Sequence, residues 1–154
     1  MDYEQQITLP NDVAAVPRLA EFIDRACEAA GLDMGMTMQL NLAAEEAVVN
    51  VMSYAYPEGT RGEIEIGLRI TDGNLPAGLR VPNSGSRIFT LTIVDSGVPF
   101  DPTAMADADT SLSAEERSIG GLGIHLVRRL MDSVSYERTA DGKNVLTMRK
   151  GVRS

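Results

Sequence analysis

The chain has 154 residues, 44% of them hydrophobic, and a formal net charge of −8. A chain of this length forms one domain, 1–154, and buries about two-thirds of its unfolded surface, so it needs no disulfide or metal staple. The acidic balance argues against nucleic acid as a direct ligand, since phosphate neutralisation calls for a basic patch, and no apolar run approaches the roughly 20 residues of a membrane span.

Residues 5–9 alternate polar and apolar and stop at Pro10, which predicts a first strand. Asn11 or Asp12 is placed to cap a helix in which Val16, Leu19, Phe22, Ile23 and Ala26 form one stripe, and Gly31 ends it. Residues 36–56 predict a second helix with Met38, Leu42, Ala43, Val49 and Met52 on its apolar positions, closed by Pro57-Glu58-Gly59. Cys27 extends the first apolar stripe and reads as core; Met34, Met36 and Met38 read as core or partner surface. A strand over 63–70 turns Ile64, Ile66, Leu68 and Ile70 inward, and a Gly-, Pro- and Asn-rich loop spans 72–86. A second alternating strand, 88–94, puts Phe89, Leu91 and Ile93 on one side. Residues 102–118 are polar and aperiodic, 120–131 begin as a loop and become a helix, and 133–138 and 144–150 are strands around a turn at Asp141-Gly142. This order predicts an α+β fold, a two-layer sandwich with a mixed, mostly antiparallel sheet and helices on one face.

Cys27 is the only cysteine. No disulfide can form within the chain, and a reducing compartment is expected. No basic-then-apolar leader precedes the first strand, so the expected location is cytoplasmic.

Three segments carry chemistry. Glu46 and Asn50 lie four apart on the second predicted helix and project to the same side. Asn is a poor residue for a helix interior; its amide oxygen could hold magnesium, which takes few protein oxygens and keeps waters and phosphates. Glu46, one turn away, could accept a proton from an attacking hydroxyl. Taken alone, the same pair is also what a solvated polar face looks like. Asp95 ends an apolar strand and precedes Ser96-Gly97. Its carboxylate could accept the adenine amino proton while Gly97 admits a flat base, although Asp and Gly also make ordinary turns. Gly120, Gly121 and Gly123 precede a helix, where free backbone amides bind phosphate. There is no GxxxxGK[ST], so the site is not a P-loop. His125, without a neighbouring carboxylate, reads as structural or as packing against a lid.

In this order the segments resemble the histidine-kinase-like ATPase superfamily, the Bergerat-fold group. ExxxN is similar to its N box, DxG to its first glycine box and GGLG to its second. Within the group the chain most resembles the bacterial anti-sigma factor serine kinases of the RsbW and SpoIIAB type. The residues that carry the likeness are Glu45-Glu46-Ala47-Val48-Val49-Asn50, Tyr54-Ala55-Tyr56-Pro57, the run Asp95 to Pro102, and the run Gly120 to Leu126.

The resemblance implies the Bergerat ATP-binding fold, with ATP and Mg2+ between helix and lid. It implies Asn50 as magnesium ligand and Glu46 as base. Asp95 and Gly97 would hold adenine; Phe100, Gly120, Gly121, Leu122, Gly123 and Ile124 would line the nucleotide, under a lid at about 102–119. It implies an ATP-dependent protein serine kinase that phosphorylates a small anti-anti-sigma (STAS) partner and sequesters a sigma factor, with a homodimer allowed. The alternative is a nucleotide-binding sequestering module without kinase activity. Departures from the pattern are Ser53-Tyr54 where several relatives carry a histidine, the long 72–86 loop, and the lack of the usual adenine-side Thr, for which Asn144 and Thr147 are both candidates.

Overall fold

The computed structural model describes residues 3–56, 61–72, 87–101 and 121–152. Strand β1 (Tyr3–Pro10) leads through a 3-10 turn at Val13–Ala15 into α1 (Val16–Ala30) and α2 (Met34–Tyr54). Next come β2 (Glu63–Asp72), β3 (Arg87–Asp95), α3 (Gly121–Leu130), β4 (Ser133–Arg138) and β5 (Asn144–Val152). The five strands form one sheet in the order β1-β2-β3-β5-β4. Every pairing in it is antiparallel. The two-layer α+β architecture is as the element order predicts, with no parallel pair among these strands.

Local chemistry sets the helix ends. Neither candidate caps α1 itself: Asp12 caps the 3-10 turn, where its Oδ1 accepts from Ala14 N at 2.9 Å, and α1 follows Ala15 with no side-chain cap. Asp33 caps α2 by accepting from Met36 N at 2.7 Å, so α2 starts two residues before the predicted position. Gly31 ends α1 at φ 71°, a left-handed geometry that suits glycine. Cations from the sheet reach the carbonyl ends of two helices: Arg87 donates to Ala30 O, and Lys150 Nζ donates to Leu130 O at 2.7 Å.

One sheet face is apolar. Ile64, Ile66, Leu68 and Ile70 of β2 are fully buried with Phe89, Leu91, Ile93 and Met148. The other face carries Glu65, Arg69, Thr90, Thr92 and Thr147. Helix α2 is the central helix and packs against both α1 and α3. Its buried apolar positions are Leu40, Ala43, Ala44, Ala47, Val48, Val51 and Met52. Met38 and Leu42, expected on the apolar stripe, are instead exposed. Neighbours on both flanks bury α2 over a wide arc, and small alanines fill the close contacts, so periodicity marks its inner face poorly.

Candidate functional site: the junction of α2 with the turn after β3

The C-terminal half of α2 and the turn after β3 are locked together. Val98 N donates to Ala55 O at 2.7 Å. A Cβ added to Gly97 would lie 2.1 Å from that same carbonyl oxygen, so only glycine lets the turn dock here. The closeness expected between Gly97 and a base is thus already needed for the helix end. Phe100 lies against Tyr54 with ring centroids 5.5 Å apart. Tyr54 follows Asn50 by one turn on α2, which puts Asn50 and the Phe100 contact on one side of that helix.

Asp95 is 3% exposed and bonded through a single oxygen. Its Oδ1 accepts from Gly97 N at 2.8 Å and from Asn144 Nδ2 at 2.9 Å. Burial pushes its carboxyl above the ordinary value, while those two bonds and the nearby Arg138 charge pull it back. Oδ2 makes no bond within the described residues and is the oxygen left for a ligand.

Asn144 was one of two candidates for the missing Thr, and it is the one beside Asp95. It also donates to Val98 O at 2.8 Å, and its Oδ1 accepts from Tyr136 Oη at 2.5 Å, Arg138 Nη1 at 3.2 Å and Phe100 N at 3.3 Å. Thr147 stands on the opposite sheet face, paired with Thr92. Tyr56 adds a further clamp. Its hydroxyl accepts from Ser96 N at 3.1 Å and donates to Glu63 O at 2.8 Å. Burial, above all, raises its pKa. Tyr56, Tyr136 and Arg138 lie in segments that fit the resemblance, but no sequence signal assigns any of them a role in the site. Beside the turn opens a cleft of about 870 Å³ lined by Tyr56, Glu63, Ser96, Gly97 and Arg138; Asn50 and Glu46 do not line it.

Asn50 is buried, and its Nδ2 has no hydrogen-bond partner among the described residues. A buried amide nitrogen without an acceptor costs stability unless an oxygen from elsewhere engages it. Glu46, one turn before it, is half-buried. Among the described residues no three His, Cys, Asp or Glu side chains converge on a metal position. The two side chains, Asn50 and Glu46, offer an amide oxygen and a carboxylate one turn apart, a donor set too small to hold an ion without oxygens from phosphate and water. Gly121, Leu122, Gly123 and Ile124 form the first turn of α3, where backbone amides lack helical partners. The stretch 120–131, expected to begin as a loop and become a helix, is helix from Gly121 to Leu130. Gly120 and the expected lid at 102–119 lie outside the described residues.

Residues 9–150 match the histidine kinase-like ATPase domain family. The chain belongs to that family.

As a kinase-like ATPase domain it is expected to bind ATP. It is similar to the serine/threonine-protein kinase BtrW of Bordetella bronchiseptica, 33% identical over 109 residues, which are 71% of this chain and 66% of that protein, just short of two-thirds. The RsbU and RsbW domains of a Mycobacterium tuberculosis protein superpose with a TM-score of 0.62 at 14% identity, covering 99% of this chain and a third, 33%, of that one. A chain in the SiaB–SiaC complex of Pseudomonas aeruginosa superposes at 0.50 with 13% identity, covering 95% of this chain and 88% of the other. These two likenesses establish the fold. No helix among the described residues is long and apolar enough to cross a membrane.

Proposed function

We propose that this ATPase domain is an ATP-dependent protein serine kinase of the anti-sigma type, which phosphorylates a small STAS-type protein and sequesters a sigma factor. The observation that carries the reading is Asn50, a buried side chain whose Nδ2 has no hydrogen-bond partner among the described residues, one turn from Glu46 and one turn from the Tyr54–Phe100 contact. The relative named as a serine/threonine-protein kinase supports the choice of reaction.

Asn50 would hold magnesium through its amide oxygen, and that ion, when bound, offsets the charge on the phosphates. Asp95 Oδ2 accepts from the adenine amino group. The first-turn amides of α3 face the phosphate oxygens, and their fixed direction avoids reorganisation during transfer. Glu46 takes the proton of the partner's serine as its Oγ bonds to the γ-phosphorus. The bond from that phosphorus to the β-bridging oxygen breaks, and ADP leaves.

The experiment is transfer from labelled ATP to a purified STAS protein, compared between wild type and Glu46→Gln. The substitution keeps the size of the side chain and removes the base. Nucleotide affinity should persist while transfer falls by about a hundredfold or more. An undiminished rate would take Glu46 out of the base role. Wild-type protein that binds a sigma factor and ATP but labels no STAS protein would leave the sequestering reading.

A further inference from the structure

Helix α2 has a second apolar face that the core does not use. Met34, Met38 and Leu42 follow at four-residue steps, so they form one stripe, and they are 79%, 66% and 42% exposed. They line a groove of about 960 Å³ between α1 and α2, with Leu32 at one end. Contiguous apolar surface of this kind marks an interaction site more often than scattered exposed residues do. Methionine suits such a surface because its flexible thioether adapts to different partners.

The groove is crossed by a side-chain bond and edged with charge. Asn41 Nδ2 donates to Asp24 Oδ1 at 2.8 Å and to Thr37 O at 3.1 Å, tying α1 to α2 along the groove. Asp24 and Glu28 from α1 and Glu45 from α2 stand along its sides, and among the described residues no Lys or Arg lines it. A second copy of the chain is a poor occupant, because a two-fold pairing would set these carboxylates against their own copies on a chain of net charge −8. A cationic occupant meets the rim with opposite charge and raises its own association rate. From Met34 to Glu45 the stripe runs about 17 Å, the length of about three helical turns.

We propose that the α1–α2 groove docks an amphipathic helix of a protein partner, its apolar stripe flanked by Lys and Arg. The apolar side chains lie on Met34, Met38 and Leu42, and the cations pair with Asp24, Glu28 and Glu45. The site requires no nucleotide, so it stands or falls separately from the kinase reading.

The test uses the full chain and a synthetic amphipathic helical peptide with a Leu stripe edged by Lys and Arg. A matched peptide carrying Glu at the cationic positions serves as control. Methyl NMR should show perturbations at Met34 and Met38 on adding the cationic peptide, with affinity falling as salt rises. Met38→Glu should weaken binding by at least about tenfold, and Glu28→Lys should weaken it while flattening the salt dependence. Met38→Gln serves if Met38→Glu fails to fold. Equal binding of the acidic peptide, perturbations elsewhere, or no binding would each overturn the proposal. So would sedimentation showing a wild-type dimer that Met38→Glu converts to monomer, since a second copy would then be the occupant.

Discussion

Asn144 Nδ2 donates to Asp95 Oδ1 at 2.9 Å across the β3–β5 pairing, with both residues 3% exposed. The amide has no spare capacity: it also holds Val98 O, Phe100 N, Tyr136 and Arg138. One side chain thus fixes both the carboxylate and the turn that follows it.

Replacing Asn144 with Ala should therefore cost about 2–4 kcal/mol, because several buried groups lose a partner together. Asn144→Asp should also destabilise strongly, since it buries a second carboxylate beside Asp95. Thr147→Val, on the opposite face, should stay within about 0.5 kcal/mol. Urea denaturation of the three variants checks the order; equal effects at 144 and 147 would show that the polar hub is not what stabilises the turn.

Asp95→Asn should change which base the pocket accepts. The variant can keep its oxygen on Gly97 N and Asn144 Nδ2, which puts the new amide nitrogen where Oδ2 stood. That nitrogen donates, as does the amino group of adenine, whereas hypoxanthine presents a carbonyl there. ATP affinity should fall by about tenfold to a hundredfold, and the variant should prefer ITP to ATP. Calorimetric titration with both nucleotides checks this; wild-type ATP affinity in the variant would remove Asp95 from adenine recognition.

The raised pKa of Asp95 gives a signed pH dependence. A carboxyl with a higher pKa in the folded chain binds its proton more tightly there than in the unfolded chain. Its contribution to stability is full below the unfolded value and is lost as pH rises through the folded value. The stability gap between Asp95→Asn and wild type should therefore shift in favour of the variant across that interval and stay level above it. Wild-type affinity for ATP should fall as pH drops through the folded value, because the protonated carboxyl loses acceptor strength. Parallel pH titrations of stability and affinity check both signs; an Asp95→Asn profile that tracks wild type would assign the slopes to other groups.

Much of this was legible in the chain. Strand periodicity placed Ile64 to Ile70 and Phe89 to Ile93 inward, and the same parity puts Asp95 in phase with Leu91 and Ile93. It could have decided between Asn144 and Thr147 as well, since Leu146 and Met148 share the phase of Asn144. Met38 and Leu42 were misplaced because α2 is apolar on more than one side, and periodicity alone does not say which side meets the sheet. Tyr56 falls in the Tyr54–Pro57 run that carries the resemblance, but no sequence feature assigns a role to it or to Arg138. Their bonds join segments about 40 residues apart, Tyr56 to Ser96 and Arg138 to Gly97, and only tertiary contact reveals them.

Gly97→Ala should act on the fold before it acts on any ligand. The added methyl would fall 2.1 Å from Ala55 O, and backbone on both sides resists displacement. The turn must lift off α2, stretching the bond from Val98 N to Ala55 O. The expected cost is about 1–3 kcal/mol, with faster amide exchange at Val98. Wild-type stability together with weaker ATP binding would instead show that the space at Gly97 serves the nucleotide.

Asn50→Leu separates folding from binding most sharply. Asn50 Nδ2 is buried without a hydrogen bond among the described residues, so its amide contributes little to stability that an apolar side chain of similar volume would not. The variant should unfold within about 1 kcal/mol of wild type or be more stable. Its affinity for ATP with magnesium should collapse, because leucine has no oxygen to hold the ion. ATP without magnesium supplies the control: a ligand of the metal affects the two titrations unequally, whereas a residue that only shapes the pocket weakens both alike. Loss of stability beyond about 3 kcal/mol would instead reveal Asn50 as a structural residue, and the metal assignment would fall with it.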